Sequence, residues 1–179
     1  MKKRWSRVIG GTLAICLSLG SAMSTAASEA EQAASGQDKP RVIITNDGEI
    51  DDKNSFVRLM YFANDLNIVG LVQSSSFAHW EGAPQGEGVQ SMGVDGSEEY
   101  AWPGTEWMDE FIDDYAEIYP NLSVHDSDYP TPEYLHSIVK IGNIGYMGEM
   151  DEPTEGSEFI KDTVLDDSTE PLYLSLIHI

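Results

Sequence analysis

Four carboxylates fall within six residues at Asp47-Gly48-Glu49-Ile50-Asp51-Asp52. At neutral pH such a cluster repels itself, and a hard divalent cation relieves that repulsion because Mg²⁺ and Ca²⁺ take carboxylate oxygens as ligands. The carboxylates of this cluster are the candidate metal ligands, and a carboxylate beside a cation-bound water can take its proton. Helix capping accounts for an Asp at the start of a helix, Asp51 or Asp52. It does not account for Asp47, which ends an apolar run. A calcium-binding helix-loop-helix reading fails, since neither the central Gly nor the terminal Glu follows at the required spacing. A phosphatase-type D-x-D loop fails too, because the second acid is Glu49.

Further along, Ser74-Ser75-Ser76 precede His79-Trp80. An indole is an amphipathic surface on which a sugar can stack, and an imidazole titrates near neutrality. Ser75, His79 and Trp80 are therefore candidate substrate contacts. Trp102 and Trp107 read as packing residues, and Glu155 and Glu158 as an acidic helix start. His125 and His136 have no partner pattern.

The elements that must position these residues follow from periodicity. Residues 41–45 are short, β-branched and bounded by Pro40, which predicts a buried strand. Residues 52–63 place Phe56, Leu59, Met60 and Ala63 on one helical face. Residues 68–72 predict a second strand, completing a right-handed βαβ unit with the acidic loop at the carboxyl end of its first strand. Residues 73–102, rich in Gly, Ser, Glu and Gln, predict a long functional loop. Helices are predicted over 105–118, stopped by Pro120, over 131–141 and over 157–165, with a Gly-rich loop at 142–156 and a third strand from Pro171. This order predicts an α/β fold with a mainly parallel sheet and flanking helices.

The amino terminus reads as a secretory signal peptide over residues 1–27. Lys2, Lys3, Arg4 and Arg7 precede an apolar stretch and small residues near a cleavage site at 24–27, and the stretch is too short to span a bilayer. Residues 28–40 read as a disordered linker, and residues 41–173 as the folded domain. The last six residues, 174–179, match a peptide encoded by a common sequencing adapter, so a non-native tail and a domain truncated at its carboxyl end are expected. The one cysteine, Cys16, lies in the signal segment, so the mature chain is expected to have no disulfide or thiolate chemistry. The expected location is secreted or periplasmic. A formal charge of −21 disfavours nucleic acid and, after signal cleavage, anionic membranes as partners.

The stretch Thr45-Asn46-Asp47-Gly48-Glu49-Ile50-Asp51-Asp52, followed by Ile68-Val69-Gly70-Leu71-Val72, resembles the nucleoside hydrolase superfamily, whose signature is D-x-D-x-x-x-D-D after a first strand. The blocks around Ser74–Trp80, Tyr129–Leu135 and Thr154–Glu158 look more closely like exported nucleoside-hydrolase-like proteins described as cellulose-binding. The resemblance implies a Rossmann-like nucleoside hydrolase fold, Ca²⁺ as cofactor and hydrolysis of N-glycosyl or related glycosidic bonds. It casts Asp47 and Asp52 as metal ligands, Asp47 also as general base, and Asp51 as the holder of a sugar hydroxyl. The expected partner is a sugar-containing small molecule or a polysaccharide. Two departures stand out: the motif's first Asp is Thr45, and Ser75-Ser76-Phe77 replaces the Asn expected near the sugar. The alternative they raise is a non-catalytic extracellular cellulose-binding protein on the same fold.

Overall fold

The computed structural model describes residues 39–82, 95–146 and 152–176. The signal segment and nearly all of the linker lie outside them. Four strands form one parallel sheet in the order β3-β2-β1-β4: β1 (Arg41–Asn46), β2 (Asn67–Gln73), β3 (Val139–Ile141) and β4 (Leu172–Leu176). The helices are α1 (Ile50–Tyr61), α2 (Trp107–His125), α3 (Pro132–Ser137) and α4 (Glu155–Val164), with a 3₁₀ turn at Ala63–Asp65. The α/β class and the parallel sheet with flanking helices are as the sequence predicts.

The sheet is covered on both faces over β1 and β2, while β4 leaves Tyr173 and Leu174 exposed. Val42, Ile44, Ile68 and Leu71 point to one side and pack with Phe56 and Met60 of α1, Met108, Ile112 and Tyr115 of α2, and Leu135 of α3. Phe56 meets the ring of Trp107 edge-on at 5.4 Å, the offset geometry aromatic quadrupoles prefer. On the opposite face Gly70 and Gly156 allow close approach of α4: a Cβ on Gly70 would strike the ring of Phe159, and one on Gly156 would strike Val72. Both faces are served because β2 carries one extra residue. Val42 pairs with Ile68 but Ile43 with Gly70, so Val69 is a bulge that resets the alternation.

Local sequence rules explain most boundaries. Thr154 and Ser157 cap α4 reciprocally, each side chain bonding the other's backbone N–H. Thr131 caps α3, with Pro132 in its first turn. Three expectations are corrected. The predicted helix over 131–141 ends at Ser137, and Val139–Ile141 form β3 against Leu71–Gln73, where β-branched residues fit the pleat. Pro120 does not end α2, which runs on to His125. Its missing N–H costs one bond, while Tyr119 and Leu122 beyond the normal stopping point still pack on the core. The strand from Pro171 is the fourth, pairing with β1 as far as Leu176.

Strand order reverses between β1 and β4. The chain leaves β1 for β2 and β3 on one side, then returns to β4 on the other. In open α/β sheets the crevice at such a reversal, beyond the carboxyl ends of the strands, is where ligands bind. The acidic loop begins at that end of β1.

Candidate functional site

The loop 46–49 is shaped by its own side chains. Asn46 Oδ1 accepts the Gly48 N–H at 2.8 Å, and Asp47 Oδ1 accepts the Glu49 N–H at 3.0 Å, the Asx pattern that lets a short polar side chain stand in for a backbone turn. Gly48 adopts φ +76°, and a Cβ there would lie 2.5 Å from Pro103 Cγ and 2.9 Å from Trp107 Nε1. Only glycine meets both demands without strain. The loop is thereby pressed onto the start of α2.

Helix α1 begins at Ile50, two residues earlier than predicted. Its N-cap position is Glu49, which makes no side-chain cap bond. Asp52 therefore sits inside the first turn rather than capping it. Its side chain is buried, and Oδ2 accepts the Asp47 N–H at 3.3 Å. Asp47 and Asp52 thus share one buried pocket at the strand tip.

Asp47 is 3% exposed, and its Oδ2 has no hydrogen-bond partner among the described residues. His79 Nδ1 lies 4.0 Å from that oxygen and 3.8 Å from Glu49 Oε2. Ligating atoms of Asp47, Glu49 and His79 all fall within 4.8 Å of one another. Burial alone pushes the Asp47 carboxyl up. The adjoining Asp52 carboxyl, the Ser76 hydroxyl, the Glu49 N–H and the charge of His79 outweigh it and hold the group below the usual carboxylate range. An anionic carboxylate out of contact with water is costly unless paired. An oxygen-rich donor set with an unpartnered buried carboxylate oxygen at its centre suits a divalent cation.

The chain has relatives among known proteins. The description "cellulose-binding Sde182, nucleoside hydrolase-like domain" matches residues 41–177. The chain belongs to this family. It is also similar, at 29% identity and a TM-score of 0.58 over 76% of its length, to the structure of a nucleoside hydrolase-related hypothetical protein from Saccharophagus degradans that is associated with carbohydrate metabolism. The chain covers 29% of that longer protein. No curated protein matches it.

Within this nucleoside hydrolase-like domain, the sequence-predicted residues have different fates. Asp47 and His79 converge with Glu49, while Asp52 adjoins Asp47 without joining that group. Asp51 is exposed on the first turn of α1 and lies outside the Asp47–Glu49–His79 group. Ser75 is turned away: its hydroxyl donates to Tyr146 O at 2.8 Å and its N–H to Asn143 O at 2.7 Å, tying two loops together. Trp80 does not offer a sugar-stacking surface. It is 1% exposed, stacked on Tyr100 at 4.9 Å, with Nε1 donating to Glu98 O. The isolated antiparallel bridge between Trp80 and Tyr100 sets the two residues side by side, so their rings can stack. Thr45, where the motif has its first Asp, directs its hydroxyl to Ser175 O of β4 at 3.5 Å.

Sequence reasoning counted Glu49 in the acidic cluster without singling it out beside Asp47, and it missed Ser76 as a support for Asp47. It also missed Gln73, buried at the end of β2, whose amide donates to Thr105 O. For Glu49 the signal was its place in the short acidic loop, and the turn at Gly48 is what brings it beside Asp47. For Gln73, only the tertiary contact reveals the role.

Proposed function

We propose that this domain binds a carbohydrate through a divalent cation at the tip of β1 and hydrolyses an N-glycosyl or related glycosidic bond there, in a protein acting outside the cytoplasm. The observation that carries the reading is the buried, unpartnered Asp47 Oδ2 facing Glu49 and His79. Asp47 and Asp52, with Glu49 beside them, are the residues that would hold the ion. Their oxygens favour Ca²⁺, whereas a nitrogen from His79 in the ligand set would favour a transition metal. Such an ion supplies a water of lowered pKa and screens the carboxylates.

The chain's own groups divide the remaining work. Asp47, held anionic near neutrality, accepts the proton of the attacking water. The negative cluster stabilises positive charge developing on the sugar as the leaving group departs. Asp51, exposed at the rim, receives a sugar hydroxyl, and His79 flanks the bound ring. The family's description as cellulose-binding supports a β-linked glucan as the ligand, and it fits an exported location.

A second reading is binding without turnover. Thr45 favours it, because the motif's first carboxylate is replaced by a hydroxyl committed to the neighbouring strand. Calorimetric Ca²⁺ titration of the wild type, Asp47→Ala and Asp52→Ala tests the ion site, and equal affinity in all three sinks it. Retention on cellulose alongside a screen for base release from nucleosides and cleavage of cello-oligosaccharides separates hydrolase from binder.

A further inference from the structure

With Trp80 buried, the acidic cluster needs another residue to offer a surface to the apolar face of a sugar. The turn preceding Trp80 supplies one. Ser76 N donates to His79 O at 2.9 Å, closing a tight turn with Phe77 and Ala78 at its tip. The turn is fixed from within: Ala78 N donates to Ser76 Oγ at 3.2 Å, and Ala78 is buried. Both ends reach the cluster, since the Ser76 hydroxyl supports the Asp47 carboxylate and His79 Nδ1 lies 4.0 Å from it. Phe77, between these two residues in the chain, is 51% exposed. On the loop's other flank Ile50, directly after Glu49, is 79% exposed.

A half-exposed phenyl ring leaves apolar surface in water at every solvent-facing atom, while the interior position beside it in the chain goes to Ala78. A pyranose ring has the matching chemistry, with hydroxyls around its edge and C–H groups on its faces. We propose that Phe77 is the aromatic platform of this site, stacking on a β-linked glucose unit whose hydroxyls reach toward Asp47 and Glu49. The proposal rests on the carbohydrate reading above and names the residue that sets its specificity: ligands with an extended apolar sugar face are favoured over those presenting only polar edges.

The test uses the full chain with cellopentaose as probe, comparing the wild type, Phe77→Ala and Phe77→Trp. Phe77→Ala should weaken cellopentaose binding about tenfold while Ca²⁺ affinity and melting temperature stay at wild-type values. Phe77→Trp should restore binding, and its added emission should shift when cellopentaose is present, a response a purely structural residue would not give. Wild-type binding matched by Phe77→Ala overturns the platform and leaves the carbohydrate reading standing. No cellopentaose binding by the wild type, with Ca²⁺ still bound, overturns the carbohydrate reading and the platform with it.

Discussion

Replacing Gly48 with alanine tests whether the acidic loop is held by backbone conformation as well as by its carboxylates. Two penalties add. A side chain at φ +76° enters left-handed space at a cost of about 1–2 kcal/mol. The new Cβ, 2.5 Å from Pro103 Cγ and 2.9 Å from Trp107 Nε1, overpacks a site whose indole is wedged against Phe56, costing about 1–3 kcal/mol. The sum is about 2–5 kcal/mol, and at about 3 °C per kcal/mol for a domain of this size the melting temperature should fall about 6–15 °C. The loop is the softer partner, so part of the strain should relax into it. If about 1.4 kcal/mol does so, Ca²⁺ affinity falls about tenfold. Thermal melts by circular dichroism, with calorimetric Ca²⁺ titration on the same samples, read both effects. A Gly48→Ala protein that melts within about 2 °C of wild type and binds Ca²⁺ equally refutes the reasoning.

Three further outcomes are expected. Tyr115→Phe removes the 2.8 Å bond from a buried phenol to Pro130 O, whose protonated form is already favoured by burial and by Tyr119 and Tyr129 nearby. It should cost about 1–2 kcal/mol in urea denaturation, and an unchanged midpoint would contradict it. Thr154→Ala breaks the capping box of α4 and should cost about 1 kcal/mol, with amide exchange rising in the first turn of α4 ahead of the rest of the chain. Asp126 is held low by the Asp128 N–H and the Asn64 amide, and Asp166 by the Arg41 guanidinium and the Ser168 N–H. Their folded values lie below the unfolded one, so their contribution is present above about pH 3.9 and is lost as pH falls through the depressed values. The Asp126→Asn, Asp166→Asn double variant should therefore show a shallower drop in melting temperature between about pH 5 and 2.5, and an unaltered acid limb would refute the assignment.

The βαβ unit and its acidic tip were legible because strong local signals agreed: β-branched strands, a 3.6-residue apolar face, and carboxylates where a loop must lie. β3 was hidden because three residues at the end of a helical pattern join a sheet only through pairing with β2, which no local window contains. Pro120 misled for a similar reason, since packing by Tyr119 and Leu122 outweighs the lost N–H. In the candidate site, spacing drew attention to the carboxylates from Asp47 to Asp52, of which Asp47 and Asp52 are buried. Trp80 reads as an exposed stacking surface in the sequence because no local window shows that its ring will lie on Tyr100. His136 had no pattern in sequence, yet it lies between Asp109 at 2.6 Å and Asp113 at 3.2 Å, joining α3 to α2.

The additional residue at Val69 makes the domain intolerant of one small kind of change. Excising it would leave every side chain from Gly70 to Gln73 facing the wrong layer: Leu71 would be driven toward Phe159, and the only β2 position small enough for that ring would be handed to α1. Most substitutions along this strand should be graded in effect, whereas that deletion should be all or none. In a deletion scan of β2, position 69 marks where the chain counts residues rather than merely reading their polarity.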